Sequence, residues 1–289
     1  MKPDLVLDAK ATVGESPVFD GATGKLWWTD IPACRLHCFD PSSGTDESYA
    51  TPGRVGCFGL ARSGGLIVAM EHGFARLEPV SGMHDILFEP EVERTENRFN
   101  DGRCDRRGRF LASSMHEPRT VPQAALWQLD PVRGVRLLAD HGLVGNGLAF
   151  SPDDRIMYWS DSPRGRVFVF DYDIETGSAW NRRLWVETDD SLGRPDGAAV
   201  DADGCYWSAR FAGGRVIRFT PDGRIDREIH LPVSQVTMCA FGGPDLRTLF
   251  ITTAREGLDD TALAKEPLAG GLFAVDAGVQ GLPEPRFIG

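Results

Sequence analysis

Short apolar runs alternate along the whole chain with clusters of Gly, Pro, Asp and Asn. The runs are rich in Val, Ile, Phe, Trp and Tyr, which favour β-strands, and the clusters between them are typical of tight turns. The clearest unit covers residues 196–223, where an inner strand, an Asp-Gly turn, a second strand, a Gly-Gly turn and a third strand follow one another. This alternation predicts an all-β protein built from short antiparallel strands.

The same unit recurs at intervals of about 40–50 residues, as in repeat folds. Its six copies cover residues 15–40, 57–79, 100–130, 146–173, 196–223 and 236–276. Six units of three or four strands predict a six-bladed β-propeller that occupies residues 1–289 as a single domain. The only helical segment expected is residues 259–265, within an insertion in the sixth copy. Residues 5–11 are extended, apolar and otherwise unpaired, so we expect them to form the outer strand of the sixth blade.

Composition and charge exclude several classes of partner. Hydrophobic residues make up 42% of the chain, which is enough for a sizeable core. The formal net charge of -11 argues against nucleic acid or an anionic membrane surface, because both require clustered Lys and Arg. No segment approaches the roughly 18 apolar residues of a membrane span, and the N-terminus lacks the apolar core of a signal peptide. We therefore expect a cytoplasmic protein whose scattered cysteines are small buried residues rather than zinc ligands.

Four of the six repeats place an oxygen-bearing side chain at the same point of their first strand. The equivalent positions, in chain order, are Glu15, roughly Cys57, Asn100, Asn146, Asp196 and roughly Thr237. In a circular repeat fold such positions gather around one axis, so we expect them to form one site in the central channel. Two carboxylates and two amides suit Ca²⁺, Mg²⁺ or Mn²⁺ and, less selectively, Fe²⁺ or Zn²⁺. Without a cation, two converging carboxylates would repel each other and one would protonate.

The same residues also have a purely structural interpretation. Asn-Gly and Asp-Gly dipeptides most often form turns, which could account for Asn146 or Asp196 taken alone. Glu15 fits this interpretation poorly, because Glu is not a turn residue. The common register of all the positions favours a site over a set of unrelated turns.

Arg98 adds a cation close to the predicted site. It precedes Asn100 by two residues on an extended strand, so the two side chains should share one face. Arg98 could therefore hydrogen-bond a substrate oxygen near the metal. In the alternative interpretation, Arg98 is a surface residue that pairs with Glu96 or Asp105.

The stretches that contain these residues resemble the regucalcin (senescence marker protein)/gluconolactonase family. They are Gly14-Glu15-Ser16-Pro17, Arg98-Phe99-Asn100-Asp101-Gly102, Gly145-Asn146-Gly147-Leu148, Arg194-Pro195-Asp196-Gly197 and Phe241-Gly242-Gly243-Pro244-Asp245. They occur in family order, and the resemblance covers nearly the whole chain. It implies a six-bladed propeller with one divalent metal ion in the central channel.

The resemblance also implies roles for individual residues. The residues that match the family's metal ligands are Glu15, Asn146 and Asp196. The residues that match its substrate contacts are Arg98 and Asn100, together with an acidic sugar contact that falls on either Glu117 or His116.

The activity implied by the resemblance is hydrolysis of a sugar lactone, such as glucono-, xylono- or arabinonolactone, to the aldonic acid. A divalent ion (Ca, Zn, Mn, Mg or Fe) would polarise the lactone carbonyl and stabilise the oxyanion. Asp196 is our candidate general base and Glu15 mainly a metal ligand, although the two roles could be exchanged. Two other hypotheses stay open: an arylesterase- or organophosphatase-type propeller hydrolase, and a non-catalytic propeller that binds a divalent metal. The expected partner is a small-molecule lactone, with no obligatory protein partner.

Overall fold

The computed structural model describes residues 2–289, which contain 24 β-strands and one short α-helix. The strands, in chain order, are β1 (Asp4–Leu7), β2 (Gly14–Asp20), β3 (Lys25–Asp30), β4 (Arg35–Asp40), β5 (Thr45–Ala50), β6 (Cys57–Leu60), β7 (Leu66–Ala69), β8 (Phe74–Leu77), β9 (His84–Phe88), β10 (Asn97–Cys104), β11 (Phe110–His116), β12 (Ala124–Asp130), β13 (Gly134–Gly142), β14 (Gly145–Phe150), β15 (Ile156–Asp161), β16 (Arg166–Asp173), β17 (Ser178–Glu187), β18 (Arg194–Val200), β19 (Tyr206–Phe211), β20 (Arg215–Phe219), β21 (Ile225–His230), β22 (Val236–Gly242), β23 (Thr248–Thr253) and β24 (Leu272–Asp276). The helix α1 (Asp260–Lys265) lies between β23 and β24, and two 3₁₀ turns cover Ser162–Arg164 and Asp190–Leu192.

The strands form six antiparallel sheets of four strands each, which confirms the predicted six-bladed β-propeller. Five sheets use consecutive strands, from β2–β5 through β18–β21. The first strands of the sheets contact one another in a closed ring, in the order β2, β6, β10, β14, β18, β22 and back to β2. The ring brings the same point of each repeat to a central channel. The assignment of the whole chain to one domain stays a prediction.

The sixth blade combines the first strand of the chain with the last three strands. Its order is β1-β24-β23-β22, with Asp4 opposite Ala274 and Leu5 opposite Phe273. The N-terminal segment therefore supplies the outer strand of this blade, as predicted. The strand is shorter than residues 5–11: it ends at Leu7, and the chain has a positive φ of 52° at Lys10 before it enters β2.

Buried tryptophans from the second strands pack between neighbouring blades. Trp207 meets the ring of Phe241 in the next blade edge-on, with centroids 5.8 Å apart. Trp159 packs against Leu111 and Leu126 of the preceding blade. A side chain of this size contributes about 3–5 kcal/mol relative to Ala when it is fully buried, so these contacts hold adjacent blades together.

Two further segments complete the ring. The predicted helix over residues 259–265 is present as α1, where the Asp259 side chain accepts a hydrogen bond from the amide of Ala262 at 2.8 Å. The C-terminal segment after β24 runs across the end of the channel where the first strands finish. Gly281 of this segment forms an isolated β-bridge with Asp201, and Phe287 forms one with Ala61.

The C-terminal segment is also held by ion pairs, from Arg286 to Asp20 and from Glu284 to Arg103, the latter at 3.4 Å. The sequence pattern does not predict this arrangement. The channel therefore stays accessible at the opposite end, where the first strands begin. In the described part of the chain, no helix has the length and apolar character needed to cross a membrane.

Candidate functional site

A cavity of about 110 Å³ opens at the end of the channel where the first strands begin. The sequence-predicted residues that line it are Glu15, Arg98, Asn100, Asn146 and Asp196. Thr237, from the sixth blade, also lines the cavity, whereas Glu117 and His116 do not. The structure therefore brings together side chains from five of the six blades.

β-Bulges position the site residues within their strands. A register shift interrupts the pairing of the first strand with the second in five blades. Asn100 is the unpaired residue between Phe99 and Asp101, and Asp196 lies between the paired residues Pro195 and Ala198. A bulge bends its strand and turns the extra side chain away from the regular alternation. The second blade pairs regularly and has Cys57 at this position.

The positions of two site residues contradict their interpretation as hairpin turns. Asn146 lies inside β14 and Asp196 inside β18, so neither residue forms a hairpin turn. Gly147 has a φ of 60° and Ser16 a φ of 52°, so the residue after the site position is left-handed in two blades. The dipeptide Asn146-Gly147 therefore forms part of a β-bulge rather than a turn. Gly suits this position because it adopts a positive φ without strain.

The two carboxylates of the site are buried and electrostatically unfavourable. Burial raises the pKa of Glu15 well above its usual range, and the charges of Asp196 and Asp101 raise it further. The amide of Ser16 donates a 2.8 Å hydrogen bond to Glu15 Oε2, which lowers the pKa only in part. Burial also raises the pKa of Asp196 well above its usual range, and the charge of Asp101 adds to this effect. The site therefore holds more negative charge than its surroundings compensate.

The two amides are fixed by hydrogen bonds that run across the blades. Asn100 Nδ2 donates to Asn146 Oδ1 at 3.0 Å, and Arg98 Nη1 donates to Asn100 Oδ1 at 3.0 Å. Asn146 Nδ2 donates to Ser162 Oγ at 2.8 Å, and Ser162 donates in turn to the carbonyl of Pro195 at 2.6 Å. This network holds the Asn146 oxygen beside the carboxylates. Its second lone pair can bind a cation or accept another hydrogen bond.

The donor set fits a hard divalent cation. Glu15 and Asp196 supply two carboxylates and Asn146 an amide oxygen, the ligand types that Ca²⁺, Mg²⁺ and Mn²⁺ prefer. Behind them, Asp101 Oδ1 is buried without a hydrogen-bond partner among residues 2–289. A cation at the site would offset all three carboxylates. In the same residues no cluster of three His, Cys, Asp or Glu side chains occurs, because the third donor is an amide.

Glu117 lies at the rim of the cavity and contacts arginines. Its Oε1 is 2.7 Å from Arg54 Nη1 and 3.4 Å from Arg98 Nε. The Glu117 side chain is 41% exposed, so part of its carboxylate stays in contact with solvent. The sequence alternative for Arg98 is wrong: its carboxylate partner is Glu117 rather than Glu96 or Asp105, because the Arg98 side chain points into the channel.

The His116 side chain has a structural role. The residue is 1% exposed, and its Nδ1 accepts hydrogen bonds from the amides of Thr120 and Val121, each at 3.2 Å. These bonds hold the connection between β11 and β12 in place. Of the two candidates for the acidic contact, Glu117 is therefore the one that lies next to Arg98.

The sequence pattern did not identify several residues of the site. They are Arg54, Asp101, Arg119, Ser162, Arg194 and Glu256. Arg194 could have been found, because it precedes Asp196 by two residues, as Arg98 precedes Asn100. The others lie in connections or at positions without a repeat counterpart, so no periodic signal marks them.

Comparison with known proteins identifies similar chains. The family model described as SMP-30/Gluconolactonase/LRE-like region matches residues 13–255. The chain is 43% identical over 285 residues to a 6-deoxy-6-sulfogluconolactonase from Pseudomonas putida, with 98% of each protein covered. It is 34% identical over 296 residues to regucalcin from Xenopus laevis, covering 100% of this chain and 99% of the relative.

A solved structure has the same fold along nearly its full length. A calcium-binding protein, regucalcin, from Agrobacterium tumefaciens superposes with a TM-score of 0.94 and 28% sequence identity. The match covers 99% of this chain and 97% of that one.

Proposed function

The chain belongs to the SMP-30/gluconolactonase/LRE-like family of lactonase enzymes, and we propose that it is a metal-dependent hydrolase that opens an aldonolactone to the aldonic acid. The observation that supports this proposal most directly is the convergence of Glu15, Asn146 and Asp196 on one buried cavity. The relative named 6-deoxy-6-sulfogluconolactonase supports a six-carbon lactone, with or without a substituent at carbon 6. Glucono-, xylono- and arabinonolactone are the comparison substrates.

Glu15, Asn146 and Asp196 are the residues that we propose to hold the ion, which can be Ca, Zn, Mn, Mg or Fe. When bound, a divalent ion supplies a Lewis acid that polarises a carbonyl and stabilises negative charge on its oxygen. The raised pKa values of Glu15 and Asp196 fit this role, since nearby positive charge restores the ionised form of both.

Asp196 is the proposed general base. Its carboxylate lines the cavity, and a bound cation would keep it ionised and therefore able to accept a proton. The water oxygen forms a bond to the lactone carbonyl carbon while one water proton passes to Asp196. The ring carbon–oxygen bond then breaks, and the departing ring oxygen takes up that proton as a hydroxyl group. The product is the open-chain acid.

Arg98 and Asn100 are the proposed orienting residues. The guanidinium of Arg98 is held by Asn100 Oδ1, the carbonyl of Phe99 and Glu117, so its position does not depend on substrate. Its remaining N–H groups can donate to lactone hydroxyls, and this orientation contributes to rate. Glu117 could accept from a hydroxyl at the rim.

The cavity lining favours this function over an arylesterase or organophosphatase. Such an enzyme is expected to have an apolar pocket with a catalytic histidine near the metal. Among residues 2–289, no histidine lines the cavity, and most of the side chains that do are charged or polar. The polar lining suits a sugar, whose hydroxyls need hydrogen-bond partners when they lose water.

A titration assay at constant pH tests the proposal. The purified protein is supplied with glucono-, xylono- and arabinonolactone, with and without chelator, and the spontaneous ring opening is subtracted. We expect chelation to abolish acid release and one divalent metal to restore it. If no lactone were hydrolysed with any of the five metals, the proposed function would be wrong.

A further inference from the structure

Two guanidinium groups face the cavity without a carboxylate partner. Arg119 lies in the connection after β11, and Arg194 begins β18. In the part of the chain from residue 2 to residue 289, no Asp or Glu oxygen lies within ion-pair distance of either one. Arg54 and Arg98, also beside the cavity, are both paired with Glu117. Arg119 and Arg194 thus differ from their neighbours in having their donors free.

Contacts that do not use its N–H donors hold Arg194 in place. Its guanidinium carbon lies 5.2 Å from the ring centroid of Phe211, which also lines the cavity. A cation stacked on an aromatic face is attracted to it while its N–H groups stay free at the edge. Arg194 is therefore positioned before a ligand arrives.

The backbone around Arg119 is also fixed. Its amide donates to the carbonyl of His116 at 2.8 Å, and the next two amides donate to the His116 ring. The side chain itself is exposed at the mouth of the cavity. The connection thus holds the backbone of Arg119 at a defined place beside the cavity.

The formal charges around the cavity favour an anionic ligand once a divalent ion is bound. Three carboxylates (Glu15, Asp196 and Glu256) and three guanidiniums line it, and the buried carboxylate of Asp101 behind the lining adds a fourth negative charge. A divalent ion on Glu15 and Asp196 would leave the cavity positively charged. A neutral sugar would not compensate that charge, and it would leave two guanidiniums without an ionic acceptor.

We propose that Arg119 and Arg194 form a subsite for a negatively charged substituent on the lactone. This inference rests on the proposed lactonase function. The shared chemistry is an oxyanion (a sulfonate, a phosphate or a carboxylate) that accepts two N–H groups from a guanidinium. The substrate class is thus an anionic aldonolactone.

Steady-state kinetics on matched substrates test the subsite. The substrates are glucono-1,5-lactone and its derivatives with a phosphate, a sulfonate or a carboxylate at carbon 6. We expect the wild-type protein to favour at least one charged lactone in kcat/KM. The ratio of charged to neutral kcat/KM should fall about 10- to 100-fold in the Arg119→Gln/Arg194→Gln double variant, mainly through KM. The derivative with the highest ratio identifies the substituent.

A remote arginine serves as the matched control. Arg224 lies on an outer turn of the fifth blade with its side chain 80% exposed, and Arg224→Gln should leave the ratio unchanged. Raising the salt concentration should lower the ratio in wild type more than in the double variant, because screening weakens ionic attraction.

Calorimetry gives a readout that does not require turnover. Metal-free protein is titrated with 6-phosphogluconate and with gluconate, which differ only in the second anionic group. We expect wild type to bind 6-phosphogluconate more tightly than gluconate, and the double variant to lose the difference.

The two proposals fail in different ways. If neither the neutral nor any charged lactone is hydrolysed, the lactonase function is wrong. If lactones are hydrolysed but all ratios are near one, or are the same in wild type and the double variant, the subsite is wrong.

Discussion

Asp196, in the fifth blade, lies close enough to Glu15, in the first blade, for its negative charge to raise the pKa of the Glu15 carboxyl. Burial is the larger cause, and both residues are less than 10% exposed. Two buried carboxylates that lie close to each other destabilise the folded state unless a proton or a cation intervenes. This relationship is what favours a metal site over a set of structural turns, and the first two predictions depend on it.

Asp196→Asn should lower kcat for the preferred lactone about 10²- to 10⁴-fold, because the amide cannot accept the proton from water. The fold should persist, since removal of a buried charge relieves repulsion. Steady-state kinetics and circular dichroism measure the two effects. Asp222→Asn, on an exposed turn of the same blade, should keep wild-type activity. Wild-type kcat in Asp196→Asn would contradict its role as base.

Glu15→Gln should weaken metal binding. Addition of a divalent metal at 100 times its dissociation constant should stabilise wild type by about 2.7 kcal/mol, seen as a rise in Tm, and the variant by much less. Differential scanning fluorimetry with each metal, before and after chelation, measures this. Glu187→Gln, at an exposed ion pair with Arg166, is the control and should respond like wild type. Equal metal-induced shifts in Glu15→Gln and wild type would exclude Glu15 as a ligand.

The contact between Asp20 and Arg286 should make stability depend on pH. Burial alone would raise the pKa of Asp20, but the Ala22 amide, Arg286 and Thr23 lower it below its usual value of 3.8. A depressed pKa stabilises the fold above the unfolded value, and this stabilisation is lost as the pH falls through the folded value.

Asp20→Asn should therefore reduce the free energy of unfolding by about 1 kcal/mol near neutral pH and by progressively less below pH 3.8. Urea unfolding at several pH values measures the difference from wild type. Arg286→Gln should weaken the pH dependence, because it removes one of the causes. A difference between wild type and Asp20→Asn that does not change with pH would show that the charge of Asp20 is not involved.

Deletion of residues 2–7 should expose the edge of β24 and remove the contact of Leu5 with the core of the sixth blade. An unpaired strand edge can pair with another molecule, so we expect a lower Tm and concentration-dependent aggregation. Circular dichroism during heating measures the Tm, and light scattering at several protein concentrations measures the aggregation. Lys2→Gln, outside β1, is the control. A deletion variant as stable and monodisperse as wild type would show that β1 is dispensable for closure.

The sequence by itself determined the repeats, and with them the propeller. Six copies of one pattern of apolar runs and turn residues specify six equivalent sheets, because the local preferences of strand and turn agree with the overall fold. Glu15, Asn100, Asn146 and Asp196 could be found for the same reason: a repeat places equivalent residues at equivalent points of a ring. The outer strand at the N-terminus could be inferred because an extended apolar segment needs an edge to pair with.

Only the tertiary structure decided what lies between the repeats. The ion pair of Glu117 with Arg98, the structural position of His116, the closure of the channel by the C-terminal segment and the free guanidiniums of Arg119 and Arg194 arise where irregular segments from distant blades meet. Such contacts have no period in the sequence. They depend on the direction in which each connection leaves its sheet, which is set by packing across blades rather than by local preference.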